Sequence, residues 1–154
     1  MNQPITIITG AGSGVGRSLA IALAAQGHQI ALAGRTRSKL EETASQCSAS
    51  PGLMIHTTDL RDEPSAATLV DDVIARWGRI DNLVNCAGVA PLSPIDRTTD
   101  DILRDTFSVN AIGPAHLIIR CWPHFKTQKS GRIVNVSTMG TTDPFAGFFA
   151  YAAS

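Results

Sequence analysis

"ITIITGAGSGVGRSLAIALAAQG", residues 5–27, carries three signals in a fixed order. Residues 5–9 are apolar and β-branched, the composition of a buried strand. Residues 16–27 space their apolar side chains at the helical period and close on Gly27, which predicts a helix. Between them runs Thr9-Gly10-Ala11-Gly12-Ser13-Gly14-Val15-Gly16. Glycines at a strand-to-helix corner let the backbone approach a pyrophosphate, which the free N–H groups and the dipole of the helix then stabilise. Glycines also serve plain tight turns. The strand–loop–helix context is what makes Gly10, Gly12, Ser13, Gly14, Val15 and Gly16 candidate dinucleotide-binding residues.

The same alternation continues downstream. Strands are predicted over 29–34, over 53–58, within 81–88 and over 131–138. Helices are predicted over 38–47, with Ser38 as N-cap and Glu41 three residues on, and over 64–78, with Pro64 in the first turn. A further helix over 99–125 is expected to bend near Gly113-Pro114 and to end near Pro123. Five strands alternating with four helices form right-handed βαβ units. The expected fold class is therefore α/β, a Rossmann-type doubly wound parallel sheet in a single domain over 1–154. Ligands on such sheets bind at the carboxyl ends of the strands, near the switch in strand order.

Composition excludes other classes. Lys+Arg and Asp+Glu are equal at 13 each, which argues against a nucleic-acid or anionic-membrane partner. The N-terminus has neither the basic start nor the apolar stretch of a signal peptide, and no window reaches membrane-span length. Cys47, Cys86 and Cys121 stand at unrelated spacings, which favours a reducing cytoplasm over a disulfide framework. The sequon Asn135-Val136-Ser137 reads as chance. His28, His56, His116 and His124 form no metal spacing with Cys or acidic residues, so no metal is expected; His28 and His124 read as helix-end caps. Met54, Phe145, Phe148 and Phe149 read as core or loop packing, an apolar substrate mouth being the other reading of the phenylalanines.

The second strand ends at Gly34-Arg35, where a dinucleotide site reads the adenosine ribose. A carboxylate there accepts from a free 2′-OH, whereas an arginine pairs with a 2′-phosphate. No Asp or Glu occupies positions 30–37, while Arg35 and Arg37 do. NADP(H) is the preferred cofactor, with NAD(H) left open; the plainer reading makes both arginines solvated loop residues.

The glycine spacing is T-G-x-x-x-G-x-G, and with it the sequence resembles the short-chain dehydrogenase/reductase family. The likeness runs in order along the whole chain. Asn85-Cys86-Ala87-Gly88 stands where that family has N-N-A-G. Asp59-Leu60 ends the third strand, where the family has an acidic residue contacting adenine. Asn110 lies in the fourth helix, where the family keeps a catalytic asparagine. Residues 135–138 read N-V-S-T against the family's N-V-S-S, and Tyr151 begins Y-x-x-x-K. The resemblance thus implies cofactor contacts at Arg35, Asp59, Leu60, Asn85, Ala87 and Gly88 besides the glycine loop, and catalytic roles for Asn110, Tyr151 and either Thr138 or Ser137.

Two positions depart from the family pattern. Cys86 replaces the second Asn of N-N-A-G; a small thiol can pack there but loses an amide's hydrogen bonds. Counting back from Tyr151 without gaps places the family serine at Thr138, with Ser137 its neighbour. Neighbours on a strand face opposite ways, so only one is expected to reach the site. Thr138 is preferred, and sliding the alignment by one residue restores Ser137.

The implied activity is an oxidoreductase interconverting a small-molecule carbonyl and alcohol by hydride transfer. Tyr151 would exchange the proton, with its pKa of about 10 drawn down by a lysine one helical turn on. Thr138 would polarise the carbonyl, and Asn110 would hold a water in the proton path. That lysine falls one residue past Ser154. The reading is therefore of a truncated chain that lacks the family's C-terminal strands and helices, with its fifth strand an exposed edge. A homodimer or homotetramer is expected of a full-length form. The alternative is a non-catalytic dinucleotide-binding or sensing module; retention of Asn110, Thr138 and Tyr151 favours the enzyme.

Overall fold

The apolar, β-branched runs become five parallel strands in the computed structural model, which describes residues 3–143 and 145–154. Pro144, in the predicted loop before Tyr151, lies outside the described residues, as do residues 1 and 2 of the N-terminus. The strands are β1 (Ile5–Thr9), β2 (Gln29–Gly34), β3 (Gly52–Thr57), β4 (Asn82–Asn85) and β5 (Arg132–Asn135). They pair in the order β3-β2-β1-β4-β5. This is the predicted doubly wound sheet, and its order switches between β1 and β4.

The described residues also form six α-helices: α1 (Gly14–Ala25), α2 (Arg37–Gln46), α3 (Glu63–Trp77), α4 (Asp100–Phe107), α5 (Gly113–Gln128) and the short α6 (Phe149–Ala153). The two-residue period of a strand splits the core into two layers. Ile7, Ala31, Ala33 and Leu83 pack with Leu69, Val70 and Val73 of α3 and Leu117, Cys121 and Phe125 of α5. Ile8, Ile30, Leu32 and Val84 pack with Ala20 and Ala24 of α1 and Leu40 of α2. With both faces covered, the central strands read as continuous apolar runs.

Several boundaries differ from the sequence expectation. Thr36, not Ser38, is the N-cap of α2, and it makes no side-chain cap bond. Glu41 is taken up instead by Arg37, at 2.9 Å one turn earlier. The single helix expected over 99–125 is two helices joined by a π-helical turn, Ser108–Ile112. Pro123 does not end α5, which continues to Gln128. Leu117, Cys121 and Phe125 stay buried across that proline, so packing outweighs the local loss of one helix hydrogen bond. The strand expected over 131–138 stops at Asn135. β5 is one of the two edge strands, β3 being the other, and all four residues of β5 are exposed.

Candidate functional site

The carboxyl ends of β1, β2, β3 and β4 open onto a groove of about 360 Å³. Gly10, Gly12, Ser13, Gly14, Val15, Gly16, Arg35, Asp59, Leu60, Ala87 and Gly88 all line it. Of the predicted cofactor residues only Asn85 does not; it lines the adjoining cavity.

Local chemistry explains why the corner is glycine. Gly10 has φ of 65°, and a Cβ there would meet the Ala87 backbone at 2.8 Å. A Cβ on Gly16 would lie 2.5 Å from Gly10 O. The loop and the start of α1 are thus packed backbone to backbone. Thr9, not singled out from sequence, fastens the topological switch: its buried Oγ1 accepts from Cys86 N (3.2 Å) and Ala87 N (3.1 Å). A residue ending the first strand was the one available signal.

The start of α1 suits an anion. Ser13 makes no side-chain cap bond and the first turn holds no acidic residue, so the first N–H groups are left for a ligand. α3 shows the contrast, since Asp62 caps it by accepting from Ser65 N at 3.1 Å. A dinucleotide pyrophosphate fits a glycine cradle of this kind.

After β2, Arg35 is exposed on the groove beside Thr36 and Lys39. Arg37 does not line it, being turned into α2 against Glu41. Lys39, in the first turn of α2, is a groove-lining cation that sequence reasoning did not single out. Asp59 accepts from the backbone of Arg61 at 3.0 Å and from its guanidinium at 3.2 Å. Arg61 also forks onto Asp105 of α4, with one arm at 3.0 Å. Its hydrogen bond holds the Asp105 carboxyl below the usual range, and Asp105 in turn pushes the guanidinium pKa up.

A second cavity, of about 410 Å³, shares Cys86, Ala87, Gly88 and Val136 with the groove. Asn85, Asn110, Ser137, Thr138, Tyr151 and Ser154 line it. Every predicted catalytic residue is therefore on one cavity. Asn110 sits in the π-helical turn, where Gly113 passes so close to Leu60 that a Cβ would meet Leu60 Cβ at 2.6 Å. Its Oδ1 accepts from Val89 N (2.9 Å), and its Nδ2 donates to Val89 O (2.9 Å) and Ser154 Oγ (2.8 Å). Ser154 Oγ donates to Tyr151 O at 3.0 Å. A line of hydrogen bonds thus connects Asn110 to the first turn of α6.

Ser137 and Thr138 lie beyond the end of β5, so strand alternation does not choose between them, contrary to the sequence argument. Both reach the cavity; Thr138 accepts from Gly140 N at 3.2 Å. Asn85 Nδ2 donates to Asn135 Oδ1 (2.8 Å), tying β4 to β5 just below. Cys86 is half-buried, and burial pushes its thiol pKa up.

The phenylalanines line neither space. Phe148 packs edge-on against Tyr151, with ring centroids 6.3 Å apart. His28 does not cap α1 with its ring, which bonds Thr6 Oγ1 at 2.8 Å. His124 is inside α5 rather than at its end. Among the described residues no group of His, Cys, Asp and Glu could hold a metal ion, and no helix is long and apolar enough to cross a membrane.

Residues 4–154 match the family model described as short chain dehydrogenase. An uncharacterized oxidoreductase of Listeria innocua is 34% identical over 100% of this chain and 62% of its own length. Among solved structures, an NAD+-bound xylitol dehydrogenase superposes with a TM-score of 0.93 at 28% identity, covering 99% of this chain and 59% of that one. A metagenomic short-chain oxidoreductase in complex with NADP gives 0.92 at 30% identity, covering 97% and 69%. The chain spans 61–62% of the length of three curated relatives it matches.

Proposed function

The chain belongs to the short-chain dehydrogenase family, and from that premise we propose that it binds NADP(H) in preference to NAD(H) and interconverts a small-molecule carbonyl and alcohol. The observation that carries this reading is the convergence of Asn110, Ser137, Thr138 and Tyr151 on a cavity that opens into the nucleotide groove along Cys86–Gly88.

The nicotinamide, when bound, supplies or accepts the hydride. Residues of this chain would hold it and place the groups around the substrate oxygen. Gly10 to Gly16 cradle the pyrophosphate, and Asp59, Leu60, Ala87 and Gly88 border the nucleotide. Tyr151 gives a proton to, or takes it from, the substrate oxygen. A free tyrosine titrates at about 10, so this role needs a cation near the ring to bring it toward working pH. Thr138, with Ser137 beside it, donates to the same oxygen. Asn110, fixed by both Val89 backbone groups, sets the proton path between the π-helical turn and α6.

Two features support the 2′-phosphate preference: positions 30–37 hold no carboxylate, and Arg35 and Lys39 both border the ribose end of the groove. Arg35→Ser and Lys39→Ala are each expected to raise the NADPH dissociation constant about tenfold while leaving NADH unchanged. Nicotinamide fluorescence reads both; an equal effect on the two nucleotides would defeat the preference. The activity is tested by NADPH oxidation against a panel of ketones. NADPH binding with no turnover on any of them would favour the dinucleotide-sensing module instead.

A further inference from the structure

Two carbonyls in the glycine loop are held from behind by side chains outside it. α2 lies so close to the loop that a Cβ on Gly12 would sit 3.0 Å from Lys39 Cβ. From this helix the fully buried Thr43 places Oγ1 within donating distance of Ala11 O (2.9 Å) and Lys39 O (3.0 Å). From α1, Arg17 donates Nη2 to Gly12 O at 2.6 Å and Nε to Thr43 Oγ1 at 3.1 Å. Its two terminal nitrogens also hold Glu42, at 2.7 and 2.9 Å. One guanidinium therefore ties together the loop, α1 and α2.

In a trans peptide the C=O and N–H point in opposite directions. With Ala11 O and Gly12 O directed at Thr43 and Arg17, the N–H groups of Gly12 and Ser13 point away from the clamp, on the side where these two residues line the groove. Neither N–H donates to any of the described residues. Left unclamped, either peptide could turn its carbonyl toward an anionic ligand and repel it.

We propose that Arg17 is a positioning residue for pyrophosphate binding, acting with Thr43 to lock the peptides after Ala11 and Gly12 with their N–H groups on the ligand side. Arg17 itself need not touch the nucleotide. The inference rests on the dinucleotide reading of the groove and is independent of the 2′-phosphate preference, because the pyrophosphate is common to NADPH and NADH.

The test compares Arg17→Met and Arg17→Lys in the full chain, with NADPH, NADH and adenosine 2′-monophosphate as probes. Arg17→Met is expected to raise the dissociation constants of both dinucleotides about tenfold, the effect of leaving the loop peptides in the binding orientation about a tenth of the time. The monophosphate, which has no pyrophosphate, should bind as before, and kcat at saturating nucleotide should stay the same while KM rises. Arg17→Lys keeps a donor for Gly12 O and should recover most of the affinity. Unchanged dinucleotide binding, or an equal loss with the monophosphate, would overturn the proposal. A wild-type chain that prefers NADH would defeat the 2′-phosphate reading alone; one that binds neither dinucleotide would overturn both.

Discussion

β1 and β5 run in the same direction in the same sheet, yet their surroundings are opposite. β1 is central: all five residues are buried, and Ile7 and Ile8 are 0% exposed. β5 is an edge with one neighbour, where Ile133 is 37% and Val134 49% exposed. The glycine loop leaves β1, whereas Ser137 and Thr138 follow β5. The groove proposed for the nucleotide takes its glycine loop and its cations from consecutive β1–α1–β2–α2 segments, whose buried residues share one core layer, and the rest of its lining largely from the ends of β3 and β4. The cavity proposed for the chemistry joins parts far apart in sequence: the segment after β5, the π-helical turn and α6. Binding and catalysis should therefore respond to different substitutions.

The largest separation is expected at Tyr151. Tyr151→Phe should lower kcat by about 10²–10⁴, the usual worth of a general acid–base group, with NADPH affinity unchanged by fluorescence titration. Retained turnover would break the assignment of chemistry to the β5 side. Next comes stability. Ile7→Ala should cost about 3–4 kcal/mol in urea unfolding because it opens a cavity in a closed core. Ile133→Ala on the edge should cost about 1 kcal/mol; equal losses would show that β5 is as well packed as β1.

The smallest effect concerns the ion pair between Arg61, which follows β3, and Asp105 of α4. The Asp105 carboxyl is held below its ordinary 3.8, so its contribution is present above the unfolded value and is lost as pH falls through the lower folded one. Wild type should melt slightly above Asp105→Asn at pH 7, and the two melting temperatures should converge below pH 3.8. A difference that persists in acid would remove the ion pair as its cause.

Much of this molecule is legible in the sequence, for reasons that are local. Apolar β-branched runs bounded by turns placed each of the five strands; central strands covered on both faces have few compositional options, and the exposed edge β5 keeps the same pattern at Ile133 and Val134. The glycine corner was legible since backbone meets backbone there at Gly10 and Gly16. Which cations line the groove was not legible: Lys39 does so with Arg35, and Arg37 does not. Ser38 and Glu41 looked like a capping box, but α2 starts at Arg37, which takes Glu41 for itself and leaves Lys39 to the groove. The π-helical turn at Asn110 went unseen, since a change from i→i+4 to i→i+5 bonding leaves no mark in side-chain spacing. Pro123 was taken as a stop because its local penalty is visible, whereas the burial of Cys121 and Phe125 that outweighs it is not.

By itself the sequence determined the sheet, the order of its motifs and the residue types of the site, because strand and loop preferences act over a few neighbours. Only the tertiary structure decided which of those residues meet. It selected Arg35 and Lys39 over Arg37, joined Asn110 to the turn that carries Tyr151, and set Arg17 behind the glycine loop. Each of these outcomes depends on how the elements pack, which spacing along the chain does not fix.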